Sequence, residues 1–206
     1  SKRRHPSWKY ERSGWLIGEM ICGVDEVGTG ALAGPVYAGA VIFKKYSRIL
    51  KLYDSKLLRP EEREPTAREL MAKSVWAIGR ASVEEILVHG LRQATYLAMR
   101  RAIRNLSSKP TRVLVDAWTI PDLALPQSGH IRGDATIASI AAASIIAKFH
   151  RDQELRALHL QFPEYGFADH KGYGTKTHLS ALARFGPCKH HRMSFAPIAQ
   201  TKITSL

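Results

Sequence analysis

Apolar residues fall along the chain in two distinct rhythms. Residues 20–27 and 36–43 are strand-length runs rich in Val and Ile, and the glycine-, proline- and alanine-rich stretch 28–35 between them predicts a hairpin connection. Residues 75–83 predict a third strand. Before it, Thr66-Ala67-Arg68-Glu69 has the spacing of a capping box and predicts a helix opening beside Pro65. Leu91, Ala94, Ala98, Met99, Ala102 and Ile103 then recur at helical spacing, so residues 91–105 should pack one face on a sheet. The other face carries Arg92, Arg100, Arg101 and Arg104, a pattern that reads first as solvated. A short buried strand, Arg112–Asp116, ends in an acid, and Pro121, Pro126, Ser128 and Gly129 predict a loop after it. Ile137, Ile140, Ala141, Ser144 and Ile145 mark a helix that is small or apolar nearly all round, as expected of a central buried helix, and turns polar from Lys148. This succession predicts a layered α/β or α+β domain with a mixed sheet.

Within that frame two acids are out of place. Asp25 and Glu26 stand between Val24 and Val27 in a strand, where alternation turns at least one inward. Both can reach one site if the strand ends or twists near Glu26, which Gly28 allows. Taking ionised carboxylates out of water costs several kcal/mol or more without compensation, which points to a metal ion. Asp116 and Asp134 are lone acids at the edges of apolar elements; the first reads equally as a turn residue, the second as an N-cap. Four oxygen donors, with neither Cys nor His at ligand spacing, favour Mg²⁺ or Mn²⁺ over Zn²⁺. The chain is otherwise basic, with 31 Lys and Arg against 18 Asp and Glu and a net charge of +13, which suits a nucleic-acid partner. Acid-bound divalent ions on a basic surface suit phosphodiester hydrolysis. No phosphate-binding loop of the Gly-Lys-Ser/Thr type is present.

The 206 residues are read as a single domain, 1–206, with a core over about 20–198 and a short basic N-terminal extension, 1–19. Cys22 and Cys188 lack pair spacing and are expected to be reduced thiols in a cytoplasmic protein. No segment reads as a signal peptide or membrane span. His170, His178, His190 and His191 have no spacing that compels metal binding.

Several motifs in order make the pattern specific. Gly23-Val24-Asp25-Glu26-Val27-Gly28, Leu32-Ala33-Gly34-Pro35-Val36, Asp54-Ser55-Lys56-Leu57, Gly133-Asp134-Ala135, the run from Ile140 to Lys148, Tyr165 to Thr175 and His191 to Pro197 resemble successive motifs of ribonuclease HII. The resemblance implies an α/β ribonuclease H-like fold: a five-stranded mixed sheet flanked by helices, with a helical C-terminal part. It also implies cleavage of RNA in RNA/DNA hybrids and incision 5′ of a ribonucleotide in duplex DNA, leaving 3′-hydroxyl and 5′-phosphate ends. Carried over by motif, Asp25, Glu26, Asp116 and Asp134 would be catalytic metal ligands for Mg²⁺ or Mn²⁺. Gly28, Thr29 and Gly30 would read the 2′-hydroxyl through the backbone, Tyr173 would stack on the sugar, and Lys56, Lys148 and Lys171 would meet phosphates.

The chain departs from the family pattern twice: Thr29 stands where Arg is expected, and Ala117 follows Asp116 where Gly is common. The interval of 18 residues from Asp116 to Asp134 resembles bacterial members. Two alternatives remain: a ribonuclease HIII-like hybrid nuclease, and a basic nucleic-acid-binding protein without catalysis. The 24 residues before Asp25 leave no room for the separate N-terminal domain of the former. A monomer with no protein partner is expected, and nothing after Pro197 resembles a clamp-binding tail.

Overall fold

The structure, a computed structural model, describes residues 5–47, 49, 52 and 58–203. The expectation for Lys56 therefore lies outside the described residues. Five strands form one sheet: β1 (Ile21–Val27), β2 (Val36–Phe43), β3 (Ser74–Ala81), β4 (Arg112–Asp116) and β5 (Gln127–His130), in the order β3-β2-β1-β4-β5. The first three pair antiparallel, with Val27 opposite Tyr37 across the predicted hairpin. β4 and β5 add in parallel beside β1, so the sheet is mixed.

Two helices cover its faces. α4 (Leu91–Arg104) buries Ala94, Ala98, Met99 and Ala102 against Val24, Ala38, Ala40, Val113 and Val115. α6 (Ala138–Gln161) packs its alanine-rich first half on the other face with Val41 and Phe43. Its backbone lies almost on the strands: a Cβ at Gly23 would meet the Ser139 carbonyl carbon at 2.2 Å, and one at Gly39 the Ala143 oxygen at 2.3 Å. Adding even a methyl there would push helix from sheet, an overpacking of the kind that costs about 1–3 kcal/mol. Residues read as part of a basic extension form α1 (Lys9–Leu16), whose buried Glu11 accepts the Ser139 N–H at 2.9 Å near the start of α6.

Three predicted boundaries need correction. α2 (Pro60–Lys73) opens well before Thr66, with Pro60 pre-set in its first turn and the Glu62 carboxylate accepting the Arg59 N–H at 2.9 Å. Thr66 lies inside the helix and donates to the Glu62 carbonyl; the Arg59 cap is not a residue type that cap patterns seek. β3 stops at Ala81 because Ser82 and Glu85 cap each other to start α3 (Val83–His89). The loop predicted around Ser128 and Gly129 contains β5, a polar edge strand with no apolar alternation to announce it.

Candidate active site

β1 and β4 are parallel neighbours with Val24 opposite Val115, so Asp25, still within β1, and Asp116, the last residue of β4, follow side by side on adjacent strands. After β5, the single turn α5 (Gly133–Thr136) brings Asp134 to them, its N–H donating to Asp116 Oδ1 at 3.3 Å. Asp134 is not an N-cap, since Ile137 occupies that position on α6. Gly133 keeps this approach open, because a Cβ there would lie 3.2 Å from Asp116 Oδ1. All four predicted acids line one cavity of about 240 Å³, together with Gly28, Thr29, Lys148 and Tyr173.

Asp25 is 4% exposed. Burial, then the carboxylates of Glu26 and Asp116, hold its carboxyl well above the usual range, against a hydrogen bond from Ser144; Asp134 adds to the rise. The charges that raise it are all negative, an arrangement that attracts a cation. Among the described residues no three His, Cys, Asp or Glu side chains are gathered closely enough to hold an ion unaided. An oxygen-only set still fits a Mg²⁺-type ion, which takes one or two carboxylates and completes its sphere with water and substrate phosphate oxygens.

The neighbouring turn is shaped by buried arginine. Gly28 has a φ of 92°, and Arg192, 1% exposed, donates to the carbonyls of Gly28 (2.6 Å), Thr29 (2.9 Å) and Gly34 (3.0 Å). A trans peptide points its N–H opposite its C=O, so the amides of Thr29 and Gly30 face away from the guanidinium. Arg151, also buried, donates to Ala33, Pro35 and Lys171. Burial, with Arg151 nearby, lowers Arg192 to about 9, leaving it charged at neutral pH.

Tyr173 is half-buried, with the Arg151 guanidinium 5.4 Å and the Lys148 ammonium 6.0 Å from its ring centre. Its carbonyl accepts from His178 Nδ1 at 2.9 Å, which leaves His178 Nε2 to accept from His191 Nε2 at 3.1 Å. His191 Nδ1 in turn accepts the Cys188 N–H. His170 accepts the Gly172 N–H and donates to the Tyr165 carbonyl. These roles require neutral rings, and burial lowers all three, His191 to about 4. Of the predicted lysines, Lys148 lines the cavity and bonds Asp152. Lys171 instead turns to the Ala168 carbonyl and does not line it.

The ribonuclease HII family model matches residues 22–198. The chain belongs to this family. It is 51% identical to ribonuclease HII of Acidovorax sp. (strain JS42) over 90% of both chains. Identity is 47% to that of Albidiferax ferrireducens, over 95% of both. The fold is similar to the ribonuclease H2 of Pyrococcus horikoshii OT3, with a TM-score of 0.76 at 23% identity over 89% of this chain and 97% of that one. A Bst-RNase HIII in complex with Mn²⁺ matches with a TM-score of 0.70 at 18% identity, covering 91% of this chain and 70% of that one.

Membership in a ribonuclease family makes the chain a nuclease and gives meaning to its departures. Ala117 has a φ of 58°, a region that favours glycine, so the family's common Gly suits this backbone. Thr29 keeps the turn while lacking an arginine side chain. Sequence reasoning missed Arg63 and Ser144 on the cavity wall, and Arg151 and Arg192 beneath the turn. Ser144 was legible only as a small core position, and an arginine carries no individual signal in so basic a chain.

Proposed function

We propose that this chain hydrolyses the RNA strand of RNA/DNA hybrids and incises 5′ of a ribonucleotide embedded in duplex DNA, leaving 3′-hydroxyl and 5′-phosphate ends. The observation that carries the reading is the meeting of four carboxylates from β1, β4 and α5 with Gly28 and Thr29 of the neighbouring turn on one cavity. Asp25, Glu26, Asp116 and Asp134 would hold the divalent ions. Held there, a pair of such ions would supply a nucleophilic water at neutral pH and neutralise charge on the attacked phosphate and departing oxygen. The Thr29 and Gly30 amides offer donors to a 2′-hydroxyl, Tyr173 offers its ring face to the adjoining sugar, and Lys148 a cation to the backbone.

The test is digestion of an end-labelled duplex with one ribonucleotide, beside an all-DNA duplex and an RNA/DNA hybrid, with Mg²⁺, with Mn²⁺ or with chelator. Metal-dependent scission of the first and third, with the all-DNA duplex intact, is expected. Cutting of the hybrid alone would identify a ribonuclease HIII-like preference, and binding without cutting would remove the catalytic reading.

A further inference from the structure

Trp118 is 75% exposed, yet the backbone presenting it is firmly held. The Ala117 N–H donates to the His130 carbonyl at 2.9 Å, the Trp118 N–H to the Asp116 carbonyl at 2.8 Å, and the Ala117 carbonyl lies 2.5 Å from where a Cβ on Gly129 would stand. The left-handed alanine before Trp118 is an uncommon backbone conformation for a residue with a Cβ. Trp118 lines a second cavity, of about 470 Å³, that shares Glu26, Thr29 and Asp116 with the acid-lined one and is walled by Arg92 and Tyr96 of α4. Tyr173 lines only the first cavity and Trp118 only the second. Arg92 is exposed and has no acidic partner among the described residues.

We propose that this second cavity holds a nucleotide flanking the scissile phosphate, with Trp118 stacked on its base and Arg92 meeting its phosphate. The inference rests on the nuclease reading above. An aromatic face beside a cation, on a chain of net charge +13, is the chemistry that recognises a nucleic-acid strand. Sharing Glu26 and Asp116 places the nucleotide next to the reaction. Thr29 lines both cavities.

The experiment uses the full chain carrying Asp134→Asn, so that the duplex stays uncut, and compares Trp118 with Trp118→Phe and Trp118→Ala. Binding of a duplex with one ribonucleotide is followed by anisotropy and tryptophan emission. Trp118→Ala should weaken binding roughly tenfold, in line with stacking energies, and Phe should restore most of it. Duplex should quench emission when Trp118 is present and leave the signal of Trp8, Trp15 and Trp76 unchanged when it is absent. Equal affinity of the Ala protein, or equal quenching without Trp118, overturns the proposal. An unchanged melting temperature, expected for so exposed a side chain, separates lost stacking from lost fold; a large fall would assign Trp118 a structural role and also overturn it. Failure of the nuclease reading is distinguishable, because the chain with all four acids intact would then cut no ribonucleotide-containing duplex whatever stands at 118.

Discussion

Asp25 and Arg192 are both nearly fully buried, 4% and 1% exposed, and they lie within one region of the molecule, but their surroundings differ in kind. The three guanidinium nitrogens of Arg192 each reach a backbone carbonyl, and Arg151 does the same with three others. The fold thus satisfies its buried cations from within. Around Asp25, the charges that shift it are the carboxylates of Glu26, Asp116 and Asp134. The cationic side is therefore a finished structural element that shapes the turn, whereas the anionic side gathers like charge, which on the function proposed above is the seat of a divalent ion.

The sharpest way to break this contrast is to neutralise an acid. Asp25→Asn or Asp134→Asn should reduce cleavage about a thousandfold, equivalent to losing ~4 kcal/mol of transition-state stabilisation, while duplex binding persists. Without divalent ions Asp25→Asn should melt higher than the parent, because it relieves repulsion in a buried site. Mg²⁺ or Mn²⁺ should raise the parent's melting temperature and raise the variant's less. Near-normal cleavage by a folded variant would remove that residue from the site.

Arg192→Leu should behave in the opposite way. It removes a donor from three carbonyls, of which Gly28 keeps the Ala31 N–H at 3.3 Å, and unsatisfied buried groups cost about 1–3 kcal/mol each before water or relaxation compensates, so a net loss on the order of 3 kcal/mol is expected. The fall in denaturation midpoint should be the same with and without Mg²⁺, and Arg192→Lys should recover only part. Stability that tracked the metal would mean that the two regions are not separate.

How far these regions were legible in sequence follows from the same contrast. Asp25 and Glu26 stood out because acids interrupt an apolar strand, and β1 to β4, α4 and α6 were visible through their apolar patterns. Arg192 finds the Gly34 carbonyl 158 residues away, a pairing no local pattern encodes. Trp118, β5 and α1 lack periodic support for the same reason: their meaning depends on which element lies beside them. Motif membership also located Lys171 without revealing that its ammonium turns back to Ala168.

A smaller effect separates the turn's support by pH. His191 is held neutral, its folded value lowered from 6.5 to about 4. Between those values the unfolded chain binds more protons than the folded one, so this contribution to stability is complete above about pH 6.5 and is lost as pH falls toward 4. Urea midpoints measured from pH 7.5 to 4.5 should fall less steeply for His191→Gln than for the parent. Identical slopes would show that His191 does not couple the Tyr173 loop to pH.

The smallest expected change comes from restoring the family residue with Thr29→Arg. The Thr29 and Gly30 amides belong to the backbone and are oriented by Arg192 through the Gly28 and Thr29 carbonyls, so recognition of a 2′-hydroxyl should not depend on the side chain at 29. All-DNA should remain a very poor substrate for both proteins. The new guanidinium would stand on the wall that the two cavities share and add a solvent-exposed phosphate contact, with a contribution of about 0.2–1 kcal/mol, or roughly a 1.5- to 5-fold gain. The gain should be larger at an isolated ribonucleotide than on a continuous hybrid, where neighbouring ribonucleotides already supply contacts. Relative kcat/KM on the two substrates measures this directly: a loss on both would mean that Thr29 keeps the cavities open for the strand that stacks on Trp118, and an equal gain on both would mean that the added arginine acts only through general attraction to phosphate.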